Sequence, residues 1–270
     1  MYIYATNSCM PVFYRLHAGN IREIKAFKLT LKESGVADAV IIGDKGFYSE
    51  DNIQMLEQEK LQFILPLHRN NKLIDYQVIE NGTVKKSKNY FEHEQRFVWF
   101  HQTQLEDGKR CILFLDEKLR QKEEQDYLKR IQTYPEEYSI EKFQEKLSSF
   151  GTLAVLISKI EKTPIQIYQA YKERLDIETM FDALKNIIDN DSTYMQNEDA
   201  LQGWMFINHI ALQWYQHIYL KIAEQKLTTK YSVKDLMVQL REVRKVQLNH
   251  QWYDAEITKA TQTLKEKLKM

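Results

Sequence analysis

Four residues of one stretch, Tyr171, Arg174, Glu178 and Lys185, have the types and the spacing to act on a phosphate ester. No Gly interrupts residues 165–202, nor any Pro, and apolar residues recur there at near-helical spacing, which predicts a single helix through the stretch. At about 100° per residue, Arg174 falls roughly 40° from Glu178, and Tyr171 and Lys185 each roughly 20° from it. The four then share one helix face. An i,i+4 pair of Arg174 with Glu178 on a solvated face accounts for two of them. It does not account for a Tyr and a Lys held in phase on either side. A carboxylate ringed by cations and a phenol suits the holding of a divalent metal while its neighbours grip phosphates.

Asp44 is the second candidate. The wholly apolar run Ala39-Val-Ile-Ile42 is typical of a central strand covered on both faces. It delivers Gly43-Asp44-Lys45-Gly46-Phe47-Tyr48 at its carboxyl end, where α/β sheets place their ligands. A helix cap or a turn Asp is the structural alternative at such a place.

The spacing Tyr-x2-Arg-x3-Glu-x6-Lys resembles the signature of bacterial insertion-sequence transposases of the DDE superfamily, in the branch named for those four residues. All four positions match without a gap. Asp44-x-Gly-Phe-Tyr-Ser49 leading into Asn52-x-x-x-Leu56, then a strand and the basic His68-Arg69-Asn70-Asn71, resembles the block around the second Asp of the same transposases. Pro11 to Asn20 is similar to the segment that precedes that block.

The resemblance implies that Asp44 and Glu178 are catalytic ligands of a two-metal site for Mg²⁺ or Mn²⁺. It implies that Tyr171, Arg174 and Lys185 contact DNA, and Arg69 is placed either to steer a DNA strand or to be an ordinary surface Arg. The implied partners are double-stranded DNA, at transposon ends and target, and a second copy as a homodimer on that DNA. The implied location is the cytoplasm, at the nucleoid. In the family a bridging Asp sits on a first strand upstream of the two strands that open this chain. Here only Asp38 precedes Asp44, in the turn Gly35-Val-Ala-Asp38-Ala. The first catalytic Asp and the amino-terminal DNA-binding region are therefore expected to be missing, the metal site to be incomplete, and the chain alone to be inactive in transposition.

Composition sets outer bounds. With 270 residues the chain has room for a large core, and 38 basic against 38 acidic residues leave no global field that advertises nucleic acid. Residues 221–270 depart from that balance, with eleven Lys or Arg against six Asp or Glu. Arg241, Arg244, Lys245, Lys265, Lys267 and Lys269 suit either a DNA backbone or a solvated terminal helix. Two cysteines, Cys9 and Cys111, fit a reducing compartment and exclude a disulfide framework. Nothing reads as a signal peptide or a bilayer span, so no membrane partner is expected; the apolar run from Leu201 to Leu220 is broken by Asn208, His209, Gln213, Gln216 and His217. His209 and His217 lack a third ligand at a recognisable spacing and read as core or interface residues.

The elements that would position the site follow an α/β order. Strands at 2–5 and 11–17 precede a helix over about residues 21–33, the Asp44 strand, a helix begun by Ser49 and a strand at 63–67. Asn81-Gly82 and Asp107-Gly108 predict hairpins. Charged helices are expected over roughly 117–132 and 140–148, a strand over 151–157, and Thr163-Pro164 as N-cap and first residue of the Glu178 helix. Beyond Lys185 the stretch from Asp189 to Thr193 reads as an acidic solvated loop, and the chain as helical from there to its end.

Combined with the resemblance, this gives an α/β protein with a ribonuclease H-like core over 1–72 and 151–190, its first strand missing. A β-rich insertion covers 73–150, and a helical C-terminal region covers 191–270. Loss of an inner strand would expose unpaired edge backbone. Two other functions stay open. One is a non-catalytic DNA- or partner-binding fragment that interferes with a full-length transposase. The other is an unrelated metal-dependent nuclease using Asp44, Glu178 and Asp182.

Overall fold

A computed structural model describes residues 1–17, 23–86, 88–186 and 195–269. The fold is mixed α/β and is made of two units, residues 17–174 and residues 1–16 together with 175–270.

The second of these units opens with β1 (Tyr2–Ala5) and β2 (Met10–Tyr14), an antiparallel hairpin that forms a sheet of its own. Its turn uses Cys9 at a φ of 51°, with the Cys9 N–H donating to Thr6 O at 3.3 Å. The strands expected at 2–5 and 11–17 are this pair.

Residues 17–174 hold α1 (Glu23–Ser34), β3 (Val40–Ile42), a 3₁₀ turn at Lys45–Phe47, α2 (Glu50–Gln58) and β4 (Gln62–Pro66). Two one-turn helices follow, α3 (Gln77–Glu80) and α4 (Thr83–Lys86), then β5 (Tyr90–His93), β6 (Arg96–Gln104) and β7 (Arg110–Asp116). The unit closes with α5 (Glu117–Thr133), α6 (Ile140–Lys146), β8 (Thr152–Ile157) and α7 (Pro164–Lys172). All six strands form one sheet in the order β3-β4-β8-β7-β6-β5, parallel only between β3 and β4. Strands expected of an insertion thus extend the sheet that carries Asp44. The two inner strands β7 and β8 are almost wholly buried apolar runs, as strands covered on both faces should be. Ile64, Ile112, Val155, Ile157 and Ile167 form the heart of the core, with the aromatic rings of Phe91, Phe114 and Tyr168 beside them.

The remaining elements complete the unit that the β1–β2 hairpin opens: α8 (Leu175–Asn186), α9 (Glu198–Glu224), α10 (Val233–Leu240), β9 (Lys245–Leu248), β10 (Gln251–Asp254) and α11 (Lys259–Leu268). Met180, Ala183 and Leu212 pack with Tyr2 and Tyr4 of the hairpin, and Gln213 donates to Pro11 O at 3.0 Å. His209 lies in this core between Tyr2 and Tyr14, with ring centroids 5.9 and 4.8 Å away, whereas His217 is exposed.

Three expectations need correction. The single helix predicted through Tyr171–Lys185 is two, α7 and α8, separated at Glu173–Arg174. Glu173 N–H still reaches Gln169 O at 3.0 Å, but Arg174 N–H bonds Tyr171 O, so the last turn tightens toward 3₁₀ geometry. Tertiary contacts of Arg174 override a sequence that has no breaker. Asn81-Gly82 links α3 to α4 instead of closing a hairpin; Gly82, at a φ of 65°, ends a helical turn, since the flanking residues do not alternate with period two. The C-terminal region is not helical throughout, because β9 and β10 pair there around Asn249 and His250, both with positive φ of 48° and 64°. Positive φ at both central residues is what a two-residue hairpin turn requires, and Asn tolerates it. The acidic stretch Asp189–Thr193 lies outside the described residues.

Candidate active site

Asp44 is set up by the residues before and after it. Gly43 ends β3 against β4 so closely that a Cβ there would lie 2.8 Å from Leu65 Cδ2 and 3.2 Å from Phe47 Cβ. Leu65 is fully buried, so only a glycine lets this strand end rest directly on its neighbour. Asp44 follows as N-cap of the 3₁₀ turn, its Oδ1 accepting from Lys45 N–H at 2.7 Å. Buried Asn52 on α2 donates through Nδ2 to Phe47 O at 2.8 Å and fastens the far end of that turn. The Phe47 ring packs on Phe27 of α1 at 4.9 Å. The cap reading and the site reading of Asp44 are thus compatible. One oxygen fixes the turn, and the side chain is 57% exposed.

Tyr171 and Arg174 come to the same place from the end of α7. That helix starts as the sequence predicts, with Thr163 and Gln166 forming a reciprocal capping box and Pro164 at the first turn. Its buried face includes Ile167, Tyr168 and Tyr171. The Arg174 guanidinium lies over the Tyr171 ring, 5.5 Å from its centroid, and places Nη1 at 3.7 Å from Asp44 Oδ2. Stacking on a fixed, buried ring contributes about 0.5–1 kcal/mol. The ion pair is long and partly solvated, and such pairs contribute about 0–1 kcal/mol. Tyr171 thus fixes the direction of Arg174, with Asp44 within reach of its Nη1. A planar cation so aimed has the fork geometry that takes a phosphate oxygen.

Glu178 and Lys185 lie on α8, in the other unit, and both are exposed. Seven residues apart on one helix, they share a face about 20° apart. Asp182 lies on that face too, accepting from Asn186 Nδ2 at 2.6 Å. Arg69 has a different setting. Its Nη2 donates to Glu123 at 2.9 Å and to Thr152 O at 3.2 Å, fastening the segment after β4 to α5 and β8. Sequence reasoning passed over Asn52 and Gly43 as parts of the site. The spacing Gly43-Asp44 and the Asn eight residues on were visible, but their contacts with Leu65 and Phe47 were not.

Among the described residues no three His, Cys, Asp or Glu side chains converge as a ready metal cluster. Asp44 and Glu178 each present an exposed carboxylate, the donor type that a hard divalent cation takes. No described helix is long and apolar enough to cross a membrane. The family model described as the transposase DDE domain matches residues 2–214, from β1 to the middle of α9. No curated protein matches the chain.

Proposed function

We propose that this chain, which belongs to the DDE transposase family, engages the phosphodiester backbone of duplex DNA as a transposase does, through Asp44, Glu178 and the cations around them, without completing cleavage alone. Arg174, stacked on Tyr171 and 3.7 Å from Asp44, is the observation that carries this reading. In it, Asp44 and Glu178 would each offer a carboxylate to Mg²⁺ or Mn²⁺. The bound metal would supply Lewis-acid stabilisation of the reacting phosphate oxygens. The chain's own residues do the rest. Arg174 binds a phosphate oxygen by charge-assisted hydrogen bonding. Tyr171 fixes the plane of that guanidinium, and Lys185, on the face of Glu178, takes a neighbouring phosphate. Arg69 contributes to DNA only secondarily, because Glu123 and Thr152 already engage it.

The match of Tyr171, Arg174, Glu178 and Lys185 to the four-residue signature supports the branch named for it. The core would be ribonuclease H-like over 1–72 and 151–190, with 73–150 inserted and 191–270 C-terminal. Return of β8 beside β4 after the insertion supports that division. The assembly on transposon ends and target would be a homodimer at the nucleoid.

The test is an assay of labelled duplex DNA with Mg²⁺ and the purified chain. Retardation that weakens steeply with salt, without cleavage, is expected. Mg²⁺-dependent cleavage abolished by Glu178→Gln would show that the carboxylates present suffice. A second reading is a binding fragment that poisons a full-length relative by mixed assembly. It predicts inhibition of an active relative at substoichiometric amounts.

A further inference from the structure

The turn between β6 and β7 ends in two adjacent cations, Lys109 and Arg110, and they go to different elements. Lys109 Nζ meets Glu57 Oε1 at 2.7 Å and Asp107 Oδ2 at 2.6 Å. Its side chain is only 14% exposed, so water screens this pairing little. Glu57 lies on α2, the helix whose Asn52 fastens the turn after Asp44. Arg110 turns instead to the segment between β8 and α7. Its Nη2 donates to Ile160 O at 2.5 Å and to Lys162 O at 3.1 Å, and its Nη1 to Gln102 Oε1 at 3.1 Å.

That segment needs such a partner. Residues 158–163 belong to no strand or helix, so Ile160 O and Lys162 O have no ladder to join. A guanidinium fork takes both at once, and a charged donor makes the stronger bond. Ile160 itself is buried in the core that includes Ile167 and Tyr168 of α7. The nine residues of α7, about 13 Å of helix, then carry this fixed start to Tyr171 and Arg174 at the far end. Every residue named here belongs to the unit of residues 17–174.

We propose that Lys109 and Arg110 are positioning residues. Lys109 braces α2 on the Asp44 side, Arg110 braces the start of α7 on the Arg174 side, and together they set the approach of Arg174 to Asp44. The inference rests on the reading of that pair as a DNA-phosphate site, and neither brace residue contacts the phosphate itself.

Heteronuclear NMR of the full chain without DNA tests the brace. Arg130, 5.7 Å from the centroid of the Tyr138 ring, is an internal control for stacked Arg174. The two Nε–Hε signals are identified by their loss in Arg174→Lys and Arg130→Lys. Arg110→Ala should shift the Arg174 signal toward that of an unstacked arginine and leave the Arg130 signal in place. Lys109→Met should shift the Lys45 amide, which donates to Asp44. An unmoved Arg174 signal, or equal movement of both arginines, would overturn the proposal. Where Arg110→Ala does not fold, Arg110→Lys, which reaches one carbonyl only, decides by the same criterion. In duplex titrations Arg110→Ala should weaken affinity several-fold in the native chain and not at all in Arg174→Ala, because it acts through Arg174. Equal losses in both backgrounds would make Arg110 a DNA contact or a general scaffold residue, against the proposal. An Arg174→Ala chain that binds as the native one does, with the NMR shift present, would instead refute the phosphate reading and leave the brace standing.

Discussion

At the scale of single residues, Arg174 carries the most chemical content, because its guanidinium is oriented by the Tyr171 ring and lies 3.7 Å from Asp44 Oδ2. Arg174→Ala is expected to weaken duplex binding and to flatten the dependence of log affinity on log salt by about one unit, as loss of one phosphate contact does. Arg174→Lys should restore little of this, since an ammonium neither stacks on Tyr171 nor presents a planar fork. Titrations of a labelled duplex across a range of salt give both numbers. His209 is a structural counterpart. Burial pushes its imidazole below the ordinary 6.5, and its Nδ1 is buried without a partner. The unfolded chain then takes up a proton that the folded one resists. Stability from this source is intact above about pH 6.5 and falls as the pH drops through that value toward the lower folded pKa. Urea midpoints at about pH 7.5 and 5.5 should differ less in His209→Phe than in the native chain.

At the scale of elements, much of the site was legible because it is local. The apolar strand before Asp44, the Ser49 cap of α2 and the Thr163-Pro164 start of α7 follow from side-chain type and spacing alone, and Ser49 accepts from Asn52 N–H at 3.1 Å as expected. The break between α7 and α8 was not legible. No Gly or Pro marks it, and it is accompanied by a tertiary contact of Arg174 with Asp44, 130 positions away in sequence. Asn81-Gly82 failed for a related reason, since a turn pair states a backbone conformation and not the element it ends. The Asn249-His250 hairpin was missed because its strands are four residues each and wholly exposed, without a buried face to reveal period two. Gly43 is where an element-scale prediction is sharpest. Gly43→Ala must displace buried Leu65, so a loss of about 1–3 kcal/mol is expected in chemical denaturation. In a Leu65→Ala background, itself destabilised, the added cost of Gly43→Ala should be smaller, as a double-mutant cycle would show.

At the scale of the molecule, a net charge of zero means that DNA affinity must come from local clusters and not from a general field. Arg174, Lys185 and the basic residues after 220 are the clusters on offer. Arg174 and Lys185 lie within the residues that match the family, and the basic residues after 220 lie outside them. Family membership fixes the kind of reaction, while the residues decide how much of it this chain can perform.

The claim that Asp44 is a metal ligand at a DNA phosphate is tested most directly by the Mg²⁺ dependence of duplex affinity in the native chain and in Asp44→Asn. The account predicts that Mg²⁺ tightens binding by the native chain. Asp44→Asn should bind more tightly without metal, having lost a repulsive carboxylate, and should gain nothing when Mg²⁺ is added. An equal Mg²⁺ response in the two proteins would contradict it.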